Sequence, residues 1–192
     1  GKSYYMETYG CQMNVADSEL IAGMLHKQGY VVSKSMDNAD AIFVNTCAIR
    51  EHAEEKVHSR LGVYSRIKQN RPEVIIGVLG CMAQHLKDEI LESKPYVDII
   101  LGPDSYRKLP VLLDREIENT NSLVDTKLSR FEVYDNLFPS RREGINAWVS
   151  IMRGCDKFCT FCIVPFTRGR ERSRSITSIV TEVHKAIADG FV

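Results

Sequence analysis

The sequence predicts an α/β protein built around a parallel sheet. Apolar runs of strand length alternate with amphipathic helical stretches over the first hundred residues. The runs Ala41–Asn45 and Val74–Leu79 are almost continuously apolar, which is typical of strands buried on both faces. The stretches between strands are long enough for helices that return the chain to the same sheet edge. These observations together predict a three-layer domain of the Rossmann or flavodoxin type.

The first domain is expected to cover residues 1–118. Its predicted strands are Ser3–Thr8, Tyr30–Ser33, Ala41–Asn45, Val74–Leu79 and Val97–Leu101, and its predicted helices run from Asn14 to Gly29, over Ala53–Asn70, around Leu86–Leu91 and over Tyr106–Glu118. Asn14 is favoured as the first N-cap because a short amide side chain can accept a hydrogen bond from an unpaired helix N–H.

Residues 119–144 are predicted to be a linker, and residues 145–192 to begin a second domain. The second segment reads as one strand at Ala147–Met152, a cysteine-rich loop, and a helix from Ile176 to Ile187. One strand and one helix cannot bury their apolar faces alone, so we expect them to open a parallel β/α barrel. A small unit packed on the first domain is the alternative.

Three of the six cysteines, Cys11, Cys47 and Cys81, are far apart in sequence and form the dispersed triplet. Each follows a predicted strand, and the carboxyl ends of parallel strands meet at one edge of a sheet, so we expect the three to converge. Gln12, Asn14 and Asn45 could then donate hydrogen bonds to metal-bound sulfur. The alternative is that the three thiols are buried as small hydrophobic groups.

The other three cysteines, Cys155, Cys159 and Cys162, form the compact triplet, with the spacing C-x3-C-x2-C. Thiolates are soft ligands that select zinc, copper(I) or iron–sulfur clusters. A structural zinc ion usually takes four protein ligands, whereas three would leave one cluster iron open to a substrate. Phe161 adds an aromatic wall for a planar ring. A zinc site completed by a distant ligand is the alternative.

Positive charge is concentrated around the compact triplet. Residues 1–140 carry 16 basic and 20 acidic side chains, whereas residues 141–174 carry 8 basic and 3 acidic ones. Arg168, Arg170, Arg172 and Arg174 could contact RNA phosphate or a cofactor carboxylate, and an ordinary basic loop is an equal alternative. The thiol content without a secretion signal favours a reducing, cytoplasmic location.

The cysteine motifs resemble those of the radical S-adenosylmethionine (SAM) methylthiotransferases. The matching stretches are Y-G-C-Q-M-N (9–14), N-T-C-A-I-R-E (45–51), G-C-M-A-Q (80–84) and M-R-G-C-D-K-F-C-T-F-C-I-V-P-F-T-R-G-R-E-R-S-R (152–174). The likeness is strongest to the tRNA-modifying branch and covers nearly the whole chain. It implies that residues 145–192 begin a radical SAM domain.

The resemblance implies two [4Fe-4S] clusters, with the radical SAM cluster on the compact triplet and an auxiliary cluster on the dispersed one. SAM would bind the first cluster beside Phe161, and a methylthio group would be added to C2 of N6-isopentenyladenosine next to the tRNA anticodon. It further implies an electron donor such as flavodoxin, no membrane partner and a monomer. The alternatives are a ribosomal protein or another modified adenosine as substrate, or a non-catalytic metal or thiol module. Since the remaining barrel and an RNA-binding domain are missing, this chain alone is expected to be inactive.

Overall fold

The computed structural model describes residues 2–47, 51–116, 122–141 and 145–192, and for 51–54, 115 and 116 it describes the backbone only. Six strands form one sheet: β1 (Ser3–Thr8), β2 (Val31–Val32), β3 (Ala41–Thr46), β4 (Ile75–Gly80), β5 (Ile99–Leu101) and β6 (Leu123–Asp125). Their order is β2-β1-β3-β4-β5-β6, and every neighbouring pair is parallel. The predicted parallel sheet is confirmed.

Five α-helices accompany this sheet in the described residues: α1 (Gln12–Lys27), α2 (Glu51–Asn70), α3 (Cys81–His85), α4 (Lys87–Ser93) and α5 (Leu109–Glu116). Short 3-10 turns lie at Met36–Asn38 and Tyr106–Lys108. Strand β3 sends Phe43 into the core beneath α1 and α5, and Ile42 and Val44 into the core beneath α2, α3 and α4. Both sheet faces are therefore covered, which gives the expected three layers.

The strand order reverses direction between β1 and β3. The chain leaves β1 toward β2 on one side and later returns to place β3 on the other side. In open parallel sheets, ligands bind beyond the carboxyl ends of the strands at such a reversal. The topology therefore places the favoured binding position where Cys11 and Cys47 lie.

The first helix begins earlier than predicted, and Asn14 is not its cap. Helix α1 starts at Gln12 with Cys11 as its N-cap, because the Cys11 carbonyl accepts hydrogen bonds from the N–H groups of Asn14 and Val15. The Asn14 side chain is fully buried and turns toward Asn45 instead. Asn14 therefore makes a tertiary contact instead of capping the helix, although asparagine is a favoured N-cap residue.

The helix expected around Leu86–Leu91 is present as α4, and the short helix α3 before it was not predicted; the backbone of Leu86 leaves the helical region between them. Strand β6 lies inside the predicted linker, where Leu123–Asp125 pairs in parallel with β5. That strand was missed because three residues are too few to show a periodic pattern. The end of the helix predicted over Tyr106–Glu118 and residues 119–121 lie outside the described residues.

Residues 145–192 contain a two-residue ladder and two helices. Strand β7 (Met152–Arg153) pairs antiparallel with β8 (Arg172–Ser173), and helices α6 (Val164–Arg168) and α7 (Ile176–Ala188) follow the cysteine loop and β8 respectively. Of the strand predicted at Ala147–Met152, only Met152 lies in a strand of the structure. Barrel strands would pair in parallel, so the barrel assignment stays a prediction. No helix in the described ranges is long and apolar enough to cross a membrane.

Candidate metal centre

The dispersed triplet lies at one edge of the sheet. Thr46 of β3 stands opposite Gly80 of β4, so Cys47 and Cys81 leave the sheet from neighbouring positions. On the other side of β3, Thr8 of β1 stands opposite Asn45, and Cys11 follows three residues later. Neighbouring strands lie about 4.8 Å apart. The backbone therefore brings the three cysteines to the same edge, as the sequence predicted.

Two glycines permit this close approach. A Cβ atom at Gly10 would lie 2.6 Å from the Cβ of Cys47, and one at Gly80 would lie 2.4 Å from the Asn45 Oδ1. Both glycines have positive φ angles, of 127° and 94°. Only glycine combines this conformation with the lack of a side chain. The chain leading into Cys11 consequently passes directly over Cys47.

Asn14 and Asn45 form a buried pair beside the triplet. Asn14 Nδ2 donates to Asn45 Oδ1 at 3.3 Å, and Asn45 Nδ2 donates to the Asn14 carbonyl at 3.0 Å and to Ser18 Oγ at 2.9 Å. The Cys11 thiol donates to Asn14 Oδ1 at 3.4 Å. Gln12, the third residue predicted to surround the site, is exposed. Asn14 therefore touches Cys11, but it accepts from the thiol instead of donating to the sulfur as predicted.

Arg168 reaches the dispersed triplet from the other segment of the chain. Its Nε–H donates to Cys81 Sγ at 3.0 Å. Cys81 is almost fully buried at the start of α3, and Arg168 is buried at the end of α6. Burial raises the pKa of the Cys81 thiol, and the neighbouring guanidinium opposes that change. The contact is therefore suited to a thiolate sulfur, because a charged donor stabilises it.

Asp17 on α1 holds this arginine in place. Its carboxylate lies 2.9 Å from Arg153 Nη1 and 3.0 Å from Arg168 Nη2, and it accepts a hydrogen bond from the Tyr106 hydroxyl at 3.2 Å. Burial by itself would raise the pKa of Asp17, but the two arginines hold it below its ordinary value. A buried carboxylate between two guanidinium groups stays ionised. Its ion pairs therefore hold α1 against the segment that contains Arg153 and Arg168.

Two of the remaining arginines are also internal. Arg172 Nη1 lies 2.7 Å from the Asp104 carboxylate, and Arg174 Nη1 lies 2.6 Å from that of Glu182. For Arg168, Arg172 and Arg174 the ordinary basic loop is wrong, because all three side chains are buried, whereas a contact with RNA or SAM stays a prediction. Arg170 is the exposed member and pairs with Asp156 at 2.7 Å. Burial of these three arginines depends on their carboxylate partners Asp17, Asp104 and Glu182, which composition alone could not show.

The compact triplet lies on an open loop. Cys159 is exposed, and Cys155 and Cys162 are half-buried. The Cys162 N–H donates to the Cys159 carbonyl at 2.9 Å, which closes a local turn. Phe161 is 91% exposed and Phe158 has a positive φ of 47°. The loop therefore presents its thiols and one aromatic ring to solvent.

An open cavity of about 350 Å³ separates the start of α1 from the segment that precedes the compact triplet. Its lining is mostly apolar and includes Gln12, Met13, Trp148, Ile151 and Val164. The cavity lies between the residues that follow Cys11 and those that precede Cys155. It provides space for a molecule with an apolar portion beside the start of α1.

Among the described residues, no three His, Cys, Asp or Glu side chains lie close enough together to hold a metal ion as they stand. The dispersed triplet nevertheless fits an iron–sulfur cluster. Its three sulfurs are soft donors at adjacent strand ends, and Gly10 and Gly80, called the glycine cradle below, allow the backbone to approach closely. For the compact triplet, three thiols within one short exposed loop fit a second cluster. None of the six cysteines, all of which are described, forms a disulfide.

Sequence reasoning missed Asp17, Asp104 and Arg153. The sequence did contain a signal for Asp17, because it shares the buried face of α1 with Leu20 and Ile21. A lone carboxylate on an apolar helix face requires a partner. Arg153 and Asp104 carried none, because their pairing joins residues far apart in the chain. The structure places Arg153 between Asp17 and the Pro103 carbonyl.

Comparison with known proteins gives one family and a consistent set of relatives. The family described as "Uncharacterized protein family UPF0004" matches residues 3–102. The chain is 47% identical, over 99% of its length, to curated proteins named tRNA-2-methylthio-N(6)-dimethylallyladenosine synthase from Amoebophilus asiaticus and Bacteroides fragilis. It is also 47% identical, over 97% of its length, to the protein of that name from Chloroherpeton thalassium. The chain spans 39%, 42% and 41% of these relatives' lengths.

Proposed function

The chain belongs to the UPF0004 family, and on that basis we propose that it is the cluster-binding part of a tRNA methylthiotransferase. The observation that carries the proposal is a contact between the two segments, in which an arginine six residues after the compact triplet donates to a cysteine of the dispersed one. The names of the relatives supply the reaction and the substrate, a dimethylallylated (isopentenylated) adenosine in tRNA. Methylthio transfer needs a radical source and a sulfur source, and two adjacent thiolate sites suit that pairing.

Each triplet holds one [4Fe-4S] cluster in this proposal. Cys155, Cys159 and Cys162 bind the radical SAM cluster, and Cys11, Cys47 and Cys81 bind the auxiliary cluster. When bound, the clusters and SAM supply the radical chemistry and the sulfur to be transferred. Three thiolates per cluster leave one iron available to SAM at the first site and to sulfur at the second.

The surrounding residues bind, orient and exclude water. Phe161, exposed beside the compact triplet, packs against SAM. Asn14 lies beside Cys11, where its Oδ1 accepts a hydrogen bond from the thiol, and Asn45 holds the Asn14 side chain in place. Gln12 lines the cavity beside the start of α1. Burial of Cys47 and Cys81 excludes water from the auxiliary site.

The wider assignment follows the same proposal. Residues 1–118 form the auxiliary-cluster domain, residues 119–144 connect it, and residues 145–192 begin the radical SAM domain. The protein acts in the cytoplasm as a monomer and receives electrons from a donor such as flavodoxin. Turnover is expected of the full-length protein, because this chain spans about two fifths of its relatives.

The test is anaerobic reconstitution of the full-length protein with iron, sulfide, SAM and tRNA that carries N6-isopentenyladenosine. Mass spectrometry of digested tRNA should show the 2-methylthio nucleoside, and the reaction mixture should contain 5′-deoxyadenosine. A Cys11→Ala variant should still cleave SAM yet form no methylthio nucleoside. Deoxyadenosine without the methylthio product in the parent protein would contradict the transferase assignment.

The alternatives give different results in the same experiment. A methylthiolated ribosomal peptide with unmodified tRNA would identify a protein substrate. Zinc without iron in anaerobic preparations would identify a non-catalytic metal module.

A further inference from the structure

Two consecutive residues, Arg168 and Gly169, contact both triplets. The Arg168 side chain donates to Cys81 Sγ at 3.0 Å, and the Gly169 carbonyl accepts from the Cys155 N–H at 3.1 Å. A Cβ atom at Gly154 would lie 2.5 Å from that carbonyl, so the strand that leads into Cys155 presses closely on Gly169. One cysteine of each triplet is thereby fixed to the same short segment.

The guanidinium of Arg168 is buried, and not all of its N–H donors have an acceptor among the described residues. Its side chain is only 3% exposed. Nε contacts Cys81 and Nη2 lies 3.0 Å from Asp17, but Nη1 has no hydrogen-bond partner among the described residues. An unpaired N–H in a buried site costs free energy that a stability role alone would not require. A cluster sulfide or a cluster-bound sulfur would give it an acceptor.

The neighbouring arginines lie against other groups, although Nε of the buried Arg172 also has no hydrogen-bond partner among the described residues. Arg172 and Arg174 are paired with Asp104 and Glu182, and neither contacts a cysteine in the described structure. Arg170 is exposed and pairs with Asp156. Arg168 is therefore the member of this arginine series whose guanidinium lies against the dispersed triplet.

We propose that Arg168 is a positioning residue for the auxiliary cluster, which holds the Cys81 sulfur by a charge-assisted hydrogen bond and ties that site to Cys155 through Gly169. This inference rests on the proposed function, since it presumes a cluster on the dispersed triplet. Hydrogen bonds and positive charge near cluster sulfurs favour the more negative, reduced state. Arg168 thus raises the reduction potential of the auxiliary cluster.

The test is a redox titration of the auxiliary cluster in the full-length protein, followed by electron paramagnetic resonance. Cys155, Cys159 and Cys162 are all replaced by Ala so that one cluster remains. Arg168→Met should shift its midpoint to a more negative potential while iron and sulfide per chain are unchanged. Arg168→Lys, which keeps the charge near Asp17 without the planar fork, should shift it less. Arg170→Met, a change of the same type at an exposed position, should leave the midpoint unchanged.

The outcomes separate this inference from the proposed function. If the parent protein binds no iron and sulfide at the dispersed triplet, the proposed function fails and the inference fails with it. If the cluster forms and Arg168→Met retains it at the parent potential, the inference alone is overturned. Should Arg168→Met fail to fold, Arg168→Lys decides: a parent-like midpoint overturns the inference, and a negative shift supports it.

Discussion

The two triplets differ in how the chain builds them. The compact triplet needs only one short loop, on which Cys159 is exposed and Cys155 and Cys162 are half-buried. The dispersed triplet needs three neighbouring strand ends, two glycines and a buried arginine from elsewhere in the chain. The first site depends on local sequence and the second on the complete fold. Changes that weaken the fold should therefore impair the dispersed site first.

The largest effect on stability is expected from Asp17→Ala. The substitution leaves Arg153 and Arg168 buried without their shared carboxylate. Removing one partner of a buried ion pair costs about 3–5 kcal/mol, so the free energy of unfolding of the metal-free protein in urea should fall by that amount. Asp114→Ala, which removes an exposed partner of Lys2, should change it by less than about 0.5 kcal/mol. Equal changes in the free energy of unfolding for both substitutions would show that the buried ion pairs of Asp17 do not stabilise the molecule.

The next effect concerns the glycine cradle. Gly10→Ala places a methyl group 2.6 Å from the Cys47 Cβ in a backbone conformation with φ of 127°. Strain and overpacking together should cost about 2–4 kcal/mol, and iron bound at the dispersed triplet should be lost while the compact triplet keeps its iron.

Gly29→Ala is the matched control for this substitution. Gly29 also has a positive φ, of 83°, but no neighbouring atom of the described residues lies within 4 Å of its added Cβ. The cost should be about 1 kcal/mol, from backbone strain alone, with both iron sites retained. Iron loss in Gly29→Ala as well would mean that general destabilisation, rather than the cradle, empties the site.

Acid should act on the sheet domain through Glu7. Burial by itself would raise the pKa of this carboxyl, but Arg60, Tyr64 and Tyr9 bind it and lower the pKa below 4.5. Because the folded pKa lies below the unfolded one, the stabilisation is complete above about pH 5 and disappears as pH falls through the folded pKa.

Unfolding free energies at pH 7 and pH 3 test this expectation. Glu7→Gln should be less stable than the parent at pH 7, and the difference should narrow at pH 3. Asp156→Asn, in the exposed compact loop, should change the pH dependence less. A constant difference between Glu7→Gln and the parent would contradict the role given to the carboxylate.

The smallest effect on stability is expected from Phe161→Ala. The ring is 91% exposed, so its removal should change the free energy of unfolding by less than about 0.5 kcal/mol. If the ring packs against SAM, the same variant should require more SAM for half-maximal deoxyadenosine formation. Phe131→Ala, at another highly exposed phenylalanine, is the control and should leave that requirement unchanged.

Sequence reasoning succeeded where a pattern is local or set by topology. The buried strands Ala41–Thr46 and Ile75–Gly80 carry continuous apolar runs, and parallel pairing then forces Cys47 and Cys81 to the same edge. It failed where the structure depends on a partner distant in the chain. Asn14 was predicted to be a helix cap, but in the structure its side chain binds Asn45. Arg168 was predicted in a basic loop, but it is buried against Asp17 and Cys81.

In the proposed function the two triplets are separate cluster sites, one built by the fold and one by a loop. Iron and acid-labile sulfide should be measured in the anaerobically reconstituted full-length protein, in Cys11→Ala and in Cys159→Ala. The account predicts two clusters in the parent and one in each variant, with different spectra for the two that remain. Loss of both clusters in either variant, or a single cluster in the parent, would contradict it.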